Sequence, residues 1–251
     1  MDLCLQGKSA LVTGSSTGIG FAIAEALHVE GCHVILNGRD EQKASIAARR
    51  LAGSISLSGD VTDPMTARRL VEQASASQGK LDILICNVGG GQSVAPGAET
   101  PEEWQRVFAL NLWSATNMVE AAREALVASR GTIICISSIC GLEVIPGAPI
   151  TYSAAKAALH AFVRGVARPL GKQGVRINAI APGNVLFEES VWSRKIAEDR
   201  AGVEEVISRE VSLGRFGSPQ EIADLVAFAA SPLSAFATGQ IWTLDGGQSR
   251  A

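Results

Sequence analysis

Short apolar runs and amphipathic helical stretches take turns along nearly all of this 251-residue chain, and that alternation constrains its fold more than any other feature. The apolar runs Ser9–Thr13, His33–Asn37, Ser54–Leu57, Leu81–Cys86, Thr132–Ser137, Arg176–Ile180 and Ile241–Leu244 read as strands. Alternating strands and helices are the pattern of a parallel sheet covered on both faces. The fold class is therefore α/β, a doubly wound sheet of about seven parallel strands.

The helices have recognisable starts. Thr100-Pro101-Glu102-Glu103 and Ser218-Pro219-Gln220-Glu221 both read as capping boxes with proline at the first helical position. From Glu102 to Leu126 a single long helix is expected, with Trp104, Phe108, Leu112, Ala115, Val119 and Ala122 on one stripe. A second helix is expected from Tyr152 to Leu170. One stretch breaks the rhythm: Gly183 to Val211 is long, charged and carries isolated apolar residues (Phe187, Val191, Trp192, Ile196). Insertions of that size are often lids. The expected organisation is one domain over residues 1–251 with a substrate lid at about 184–211.

A net charge of −3, spread without blocks, argues against nucleic-acid or membrane-surface partners. No signal-like N-terminus or membrane-length apolar run is evident, so a cytoplasmic protein is the default expectation. The five cysteines (Cys4, Cys32, Cys86, Cys135, Cys140) are odd in number and lack C-x-x-C spacing, and read as reduced. The three histidines are scattered, so no metal site is expected.

Two groups of residues point to chemistry. The run Ser9–Val12 leads into Thr13-Gly14-Ser15-Ser16-Thr17-Gly18-Ile19-Gly20 and then a helical pattern. Strand, glycine turn, helix is the order in which backbone N–H groups at a helix N-terminus meet a phosphate. Gly14 permits the tight turn, Gly18 close approach of a pyrophosphate, and Gly20 close helix–strand packing. The lack of a following Gly-Lys-Ser/Thr excludes a P-loop. The second group is Tyr152 and Lys156, one turn apart on a helix face. An ammonium beside the phenol would lower the tyrosine pKa toward the working pH, as a proton-exchanging group requires. Taken alone, Y-x-x-x-K is more often an ordinary amphipathic contact.

With these residues assembled, the chain resembles the short-chain dehydrogenase/reductase family nearly end to end. The Thr13–Gly20 segment resembles its cofactor-binding turn, which would make Gly14, Ser16, Thr17, Gly18, Ile19 and Gly20 cofactor contacts. Asp60-Val61 matches the dipeptide placed against adenine, and Asn87-Val88-Gly89-Gly90 resembles the Asn-Asn-Ala-Gly segment with Val in the usual Ala position. Asn111, Ser138, Tyr152 and Lys156 fall where the family carries its catalytic four. Pro182-Gly183 matches the turn beside the nicotinamide, with backbone near Val185 also in reach, and Asp245-Gly246-Gly247 matches the usual ending of the last strand. Phe187 stands where the family usually has a threonine.

The resemblance implies a single-domain Rossmann-type fold and hydride transfer between a nicotinamide cofactor and a ketone or secondary alcohol. Tyr152 would exchange the proton, and Lys156 would tune it and bind the nicotinamide ribose. Ser138 would hold the reacting oxygen, and Asn111 a water linked to Lys156. Of Ser137 and Ser138, which the pleat sends opposite ways, Ser138 fits the family's spacing to glycine. Gly38 occupies the position usually acidic in NAD-specific members, and Arg39 follows with a planar fork suited to a 2′-phosphate. NADP(H) is therefore favoured, with NAD(H) possible. The expected activity is a carbonyl or 3-oxoacyl reductase. The alternatives are an NAD-dependent alcohol, sugar or steroid dehydrogenase and a non-catalytic nucleotide-binding protein. The substrate is a small carbonyl or alcohol, and the family's usual assembly implies a homotetramer.

Overall fold

A computed structural model describes residues 2–250. The elements run β1 (Ser9–Val12), α1 (Gly18–Val29), β2 (His33–Gly38), α2 (Glu41–Arg49), β3 (Ile55–Ser58), α3 (Pro64–Gln78) and β4 (Ile83–Cys86). There follow α4 (Pro101–Phe108), α5 (Ser114–Ser129), β5 (Thr132–Ile136), α6 (Ile150–Gly171) and β6 (Arg176–Pro182). The chain ends with α7 (Val191–Glu198), α8 (Arg200–Glu210), α9 (Pro219–Ala230) and β7 (Ile241–Leu244). Every strand pairing is parallel, and the order across the sheet is β3-β2-β1-β4-β5-β6-β7. All seven expected strands are present, with ends shifted by at most two residues.

The period of two along each strand divides the core. Ala10, Val12, Val34, Leu36, Ile83 and Ile85 face one side, where they pack against α1, α2 and α9. Leu11, Ile35, Leu84, Ile133 and Ile177 face the other, against α3, α5 and α6. Leu11, Ile35 and Leu84 are fully buried, so truncating any of them to alanine should cost ~2–5 kcal/mol. Strand order reverses between β1 and β4. Loops leaving the carboxyl ends of these two neighbours diverge to opposite faces and open a crevice, the usual ligand site of such sheets.

The single helix expected over Glu102–Leu126 is divided. Between α4 and α5 the backbone widens into a π-helical turn over Ala109–Trp113. Its centre is Asn111, 1% exposed, whose Nδ2 donates to the Val107 carbonyl one turn back at 3.0 Å and to the Gly90 carbonyl at 3.2 Å. Such bulges commonly carry functional residues. The stripe is buried at Ala115, Val119 and Ala122 and only partly at Trp104, Phe108 and Leu112.

The two helix starts also differ from each other. Ser218 forms the full reciprocal capping box with Glu221. Thr100 forms only half of one: its hydroxyl accepts from Glu103 N, but the Glu103 carboxylate is drawn to Arg106 and Ser93. Residues 184–211 fold into α7 and α8 around a small cluster of Val203, Ile207 and Val211, with Trp192, Ile196 and Phe216 packed on it. All five cysteines are free.

Candidate active site

The site begins at the turn after β1. Gly14 and Gly18 have left-handed backbone, φ +61 and +57, which only glycine adopts without strain. A side chain at Gly20 would collide with the Gly14 carbonyl and the Asn87 amide, so its bareness lets α1 seat on β1. Asn87 braces this turn: its Nδ2 donates to the carbonyls of Thr13 and Gly14 at 3.1 and 3.0 Å. Helix α1 starts at Thr17 with no side-chain cap, whereas α2, α3, α4, α7, α8 and α9 all have one. Its first N–H groups are left without a side-chain acceptor, as an anion site requires.

Gly18 is not bare. The Phe187 ring lies over it, with ring atom Cε2 only 2.6 Å from where a side chain would begin, and the ring packs on the core beside Ile19. The glycine face expected to receive a pyrophosphate is thus covered by the residue that departs from the family pattern. Phe187 is held from both sides. A parallel bridge joins Val185 to Gly217, and Ser190 N donates to the Phe187 carbonyl at 3.1 Å. Val185 itself is buried.

At the end of β2, Gly38 admits the Ser16 side chain, whose hydroxyl fills the space an acidic residue would need. Arg39 is exposed and forms no ion pair among the described residues. Its neighbour Asp40 is engaged elsewhere, accepting from Lys43 N at 3.0 Å as the cap of α2. Asp60 accepts from Thr62 N and Oγ1, and Asn117 holds the Val61 carbonyl, so this pair forms a fixed wall further along the edge. On the other side, Pro182 ends β6, and Gly183 N donates to the Leu244 carbonyl at 3.1 Å.

The four catalytic candidates come together at the carboxyl ends of β4 and β5. Gly89 is the meeting point: a side chain there would begin 2.9 Å from Asn111 Oδ1 and 3.0 Å from Lys156 Nζ. Asn111 Oδ1 accepts from Gly90 N at 2.9 Å, so both amide hydrogens and one lone pair anchor the β4 loop or its own helix. One lone pair remains for a water. Lys156, 2% exposed, donates to the Ile136 carbonyl at 3.0 Å and keeps two ammonium protons for other acceptors. Ser138 Oγ accepts from Cys140 N at 3.2 Å, which leaves its O–H free to donate. Thr151, next to Tyr152, is fully buried and shares a 2.7 Å hydrogen bond with Ser93, which also donates to Glu103. Arg106 and Ser93 hold that carboxylate well down, to about 2, so it stays charged and ties α4 to the β4 loop, which Ser93 in turn ties to the start of α6.

The electrostatics correct one expectation. Tyr152 is not lowered by Lys156. Burial pushes the phenol above its ordinary value, only partly opposed by Ser138. Lys156 Nζ stands 5.7 Å from the Tyr152 ring centroid, over the ring, and is itself pushed down to about 8 by burial. Helical spacing correctly put the two on one face. It could not show that the ammonium is tied to a carbonyl on a neighbouring strand.

The sequence set Ser137 aside in favour of Ser138 and did not single out His160. His160, 2% exposed, follows Lys156 by one turn on α6, and its Nε2 lies 2.7 Å from Ser137 Oγ. The extension of Tyr152 and Lys156 by a further four residues was the available signal.

Residues 14–249 match a family model described as Enoyl-(Acyl carrier protein) reductase. The chain is 38% identical over 245 residues to a 3-oxoacyl-[acyl-carrier-protein] reductase of Escherichia coli, covering 96% of this chain and 97% of that one. It is 34% identical over 251 residues to an L-rhamnose 1-dehydrogenase (NAD(P)(+)) of a Sphingomonas species, covering 97% and 96%. Among solved structures, the L-sorbose reductase of Gluconobacter frateurii, complexed with NADPH and L-sorbose, superposes with a TM-score of 0.93 at 30% identity, covering all of both chains.

Proposed function

The chain belongs to the short-chain dehydrogenase/reductase family, and we propose that it is an NADP(H)-dependent carbonyl reductase, with a 3-oxoacyl or polyol-type ketone as its substrate class. The observation that carries this reading is the meeting of Lys156 and Asn111 at the bare face of Gly89, with Tyr152 on the same helix face and Ser138 at the end of the adjacent strand.

The residues fit a nicotinamide dinucleotide. The glycine turn and the uncapped start of α1 would take the pyrophosphate once Phe187 moves aside, with Ser16, Thr17 and Ile19 around it. Asp60 and Val61 would flank the adenine, and Arg39 would meet a 2′-phosphate through its planar fork. Pro182, Gly183 and the backbone near Val185 would border the nicotinamide. When bound, the cofactor supplies or accepts the hydride.

The chain's own residues handle the oxygen and its proton. Ser138 O–H donates to the substrate oxygen and orients it. Tyr152, held protonated by burial, is a general acid in the reductive direction. Placing two of the Lys156 ammonium protons against the ribose would bring positive charge next to the phenol, which lowers the cost of giving up its proton. Asn111 fixes Gly90 through both its N–H and its carbonyl and keeps one lone pair for a water on the reprotonation route. Oxidation runs the same steps in reverse.

Residues 184–211 act as a lid in this reading, since α7 and α8 have their own small cluster beside the cleft. The protein works as a cytoplasmic homotetramer. Trp113 between α4 and α5 is 44% exposed, and β7 is an edge strand backed by the exposed Phe228 against Trp242, giving two apolar surfaces for two two-fold axes. The experiment is a panel of 3-oxoacyl thioesters, ketoses and simple ketones with NADPH, read by loss of reduced-nicotinamide absorbance. Turnover on at least one ketone class supports the reading. Tight NADPH binding without turnover on any would favour a nucleotide-binding role instead.

A further inference from the structure

We infer that His160 is a positioning residue for the catalytic serine: its imidazole clamps the two ends of the Ser137–Gly141 turn and thereby fixes the Ser138 hydroxyl held between them. The inference rests on the reading above that Ser138 and Tyr152 act on the substrate oxygen.

His160 Nδ1 lies 3.1 Å from the Gly141 carbonyl, and Nε2 lies 2.7 Å from Ser137 Oγ. A carbonyl only accepts, so Nδ1 carries the hydrogen. The neutral ring then has its lone pair at Nε2, and the Ser137 hydroxyl donates to it. One rigid ring thus holds the residue before Ser138 and the residue three after it. Burial keeps the ring neutral, pushing its pKa down to about 4, so both bonds persist at working pH.

The seat beneath the turn is equally fixed. A side chain at Gly141 would begin 2.8 Å from His160 Cε1 and 2.6 Å from the Lys156 backbone carbon, so the turn lies directly on α6 with no room to slide. The bond from Cys140 N to Ser138 Oγ, at 3.2 Å, is local to the turn and does not fix the turn backbone against the helix. Tyr152, Lys156 and His160 recur every four residues along one face of α6. A single helix therefore carries the proton donor, the ammonium and the clamp that sets the serine against them.

The test uses the full chain with NADPH and the ketone that wild type reduces. His160→Leu removes both bonds, Ser137→Ala removes one, and His160→Asn keeps an amide donor near the Nδ1 position. His160→Leu should lower kcat about 10- to 100-fold, the scale of misplacing a reacting group by an ångström, while NADPH affinity measured by fluorescence stays within about twofold. Ser137→Ala should fall part of the way, His160→Asn should recover part of the loss, and the Ser137→Ala/His160→Leu pair should be no worse than His160→Leu. A purely structural histidine would lower the melting temperature and leave kcat alone. Independently of activity, ¹⁵N-histidine spectra at neutral pH resolve only three residues, and one ring should be locked as the Nδ1–H tautomer. That signal decides the clamp even where His160→Leu fails to fold or wild type proves inert toward every ketone, the latter outcome overturning the catalytic reading instead. An Nε2–H or charged His160, or folded variants turning over like wild type, overturns the inference.

Discussion

At the scale of single residues, the site is set by partners that sequence spacing does not reveal. The four-residue step from Tyr152 to Lys156 gave the shared helix face. The Ile136 carbonyl that accepts the lysine's hydrogen bond comes from β5, and the burial that raises the phenol comes from the whole crevice. Lys156 makes this testable. Its folded pKa of about 8 lies below the ordinary 10.5, so between these values the native state binds fewer protons than the unfolded chain. Stability therefore rises with pH through that window, and the charged lysine costs stability below it. Against Lys156→Met, cofactor-free protein should gain stability from pH 8 to 10.5 with a slope of up to ~1.4 kcal/mol per pH unit in denaturant unfolding. A pH-independent difference would contradict the buried-ammonium account. Arg39 is the second case. Without an ion pair among the described residues, and beside a Gly38 whose open side is filled by Ser16, it should read the 2′-phosphate. Arg39→Ala should cost ~10-fold or more in kcat/KM with NADPH, the scale of one charge-assisted contact, and little with NADH. Equal losses with both cofactors would show that it does not.

At the scale of elements, the strands were legible because apolar runs bounded by turn residues have few alternative fates. The interruption between α4 and α5 was not, because the apolar stripe continues in phase from Trp104 to Ala122 and hides the wider turn at Asn111. That turn depends on a side-chain amide reaching Gly90, a contact between distant segments. The segment from Val185 to Ser190 tells a similar story. Phe187 was visible as a departure, but its place over Gly18 follows from the bridge to Gly217 and the Ser190 turn. A ring that must leave before a pyrophosphate arrives lowers apparent affinity by the fraction of time the face is open. Phe187→Thr should therefore bind NADPH on the order of tenfold more tightly, and faster, in stopped-flow fluorescence. Weaker binding would mean that the ring supports the cofactor and does not compete with it.

At the scale of the whole molecule, parallel pairing sends every strand's carboxyl end to one edge, and the reversal of order between β1 and β4 opens that edge. The glycine turn, the Asn87 loop, Ser138 and the start of α6 meet there because topology leaves them no other place. The sequence motifs therefore fall together at one edge, and the sheet supplies the reason they are neighbours. Assembly belongs to this scale too: light scattering at micromolar concentration should give four chain masses, and a monomer would contradict the proposed pairing of the Trp113 and β7 surfaces. The central claim is that Tyr152 delivers the proton while the remaining residues bind and orient. Tyr152→Phe keeps the ring and removes that proton, so single-turnover reduction of a ketone substrate by bound NADPH measures the claim directly. The account predicts a rate lower by ~10²- to 10⁴-fold with NADPH affinity nearly unchanged. A rate within a few-fold of wild type would contradict it.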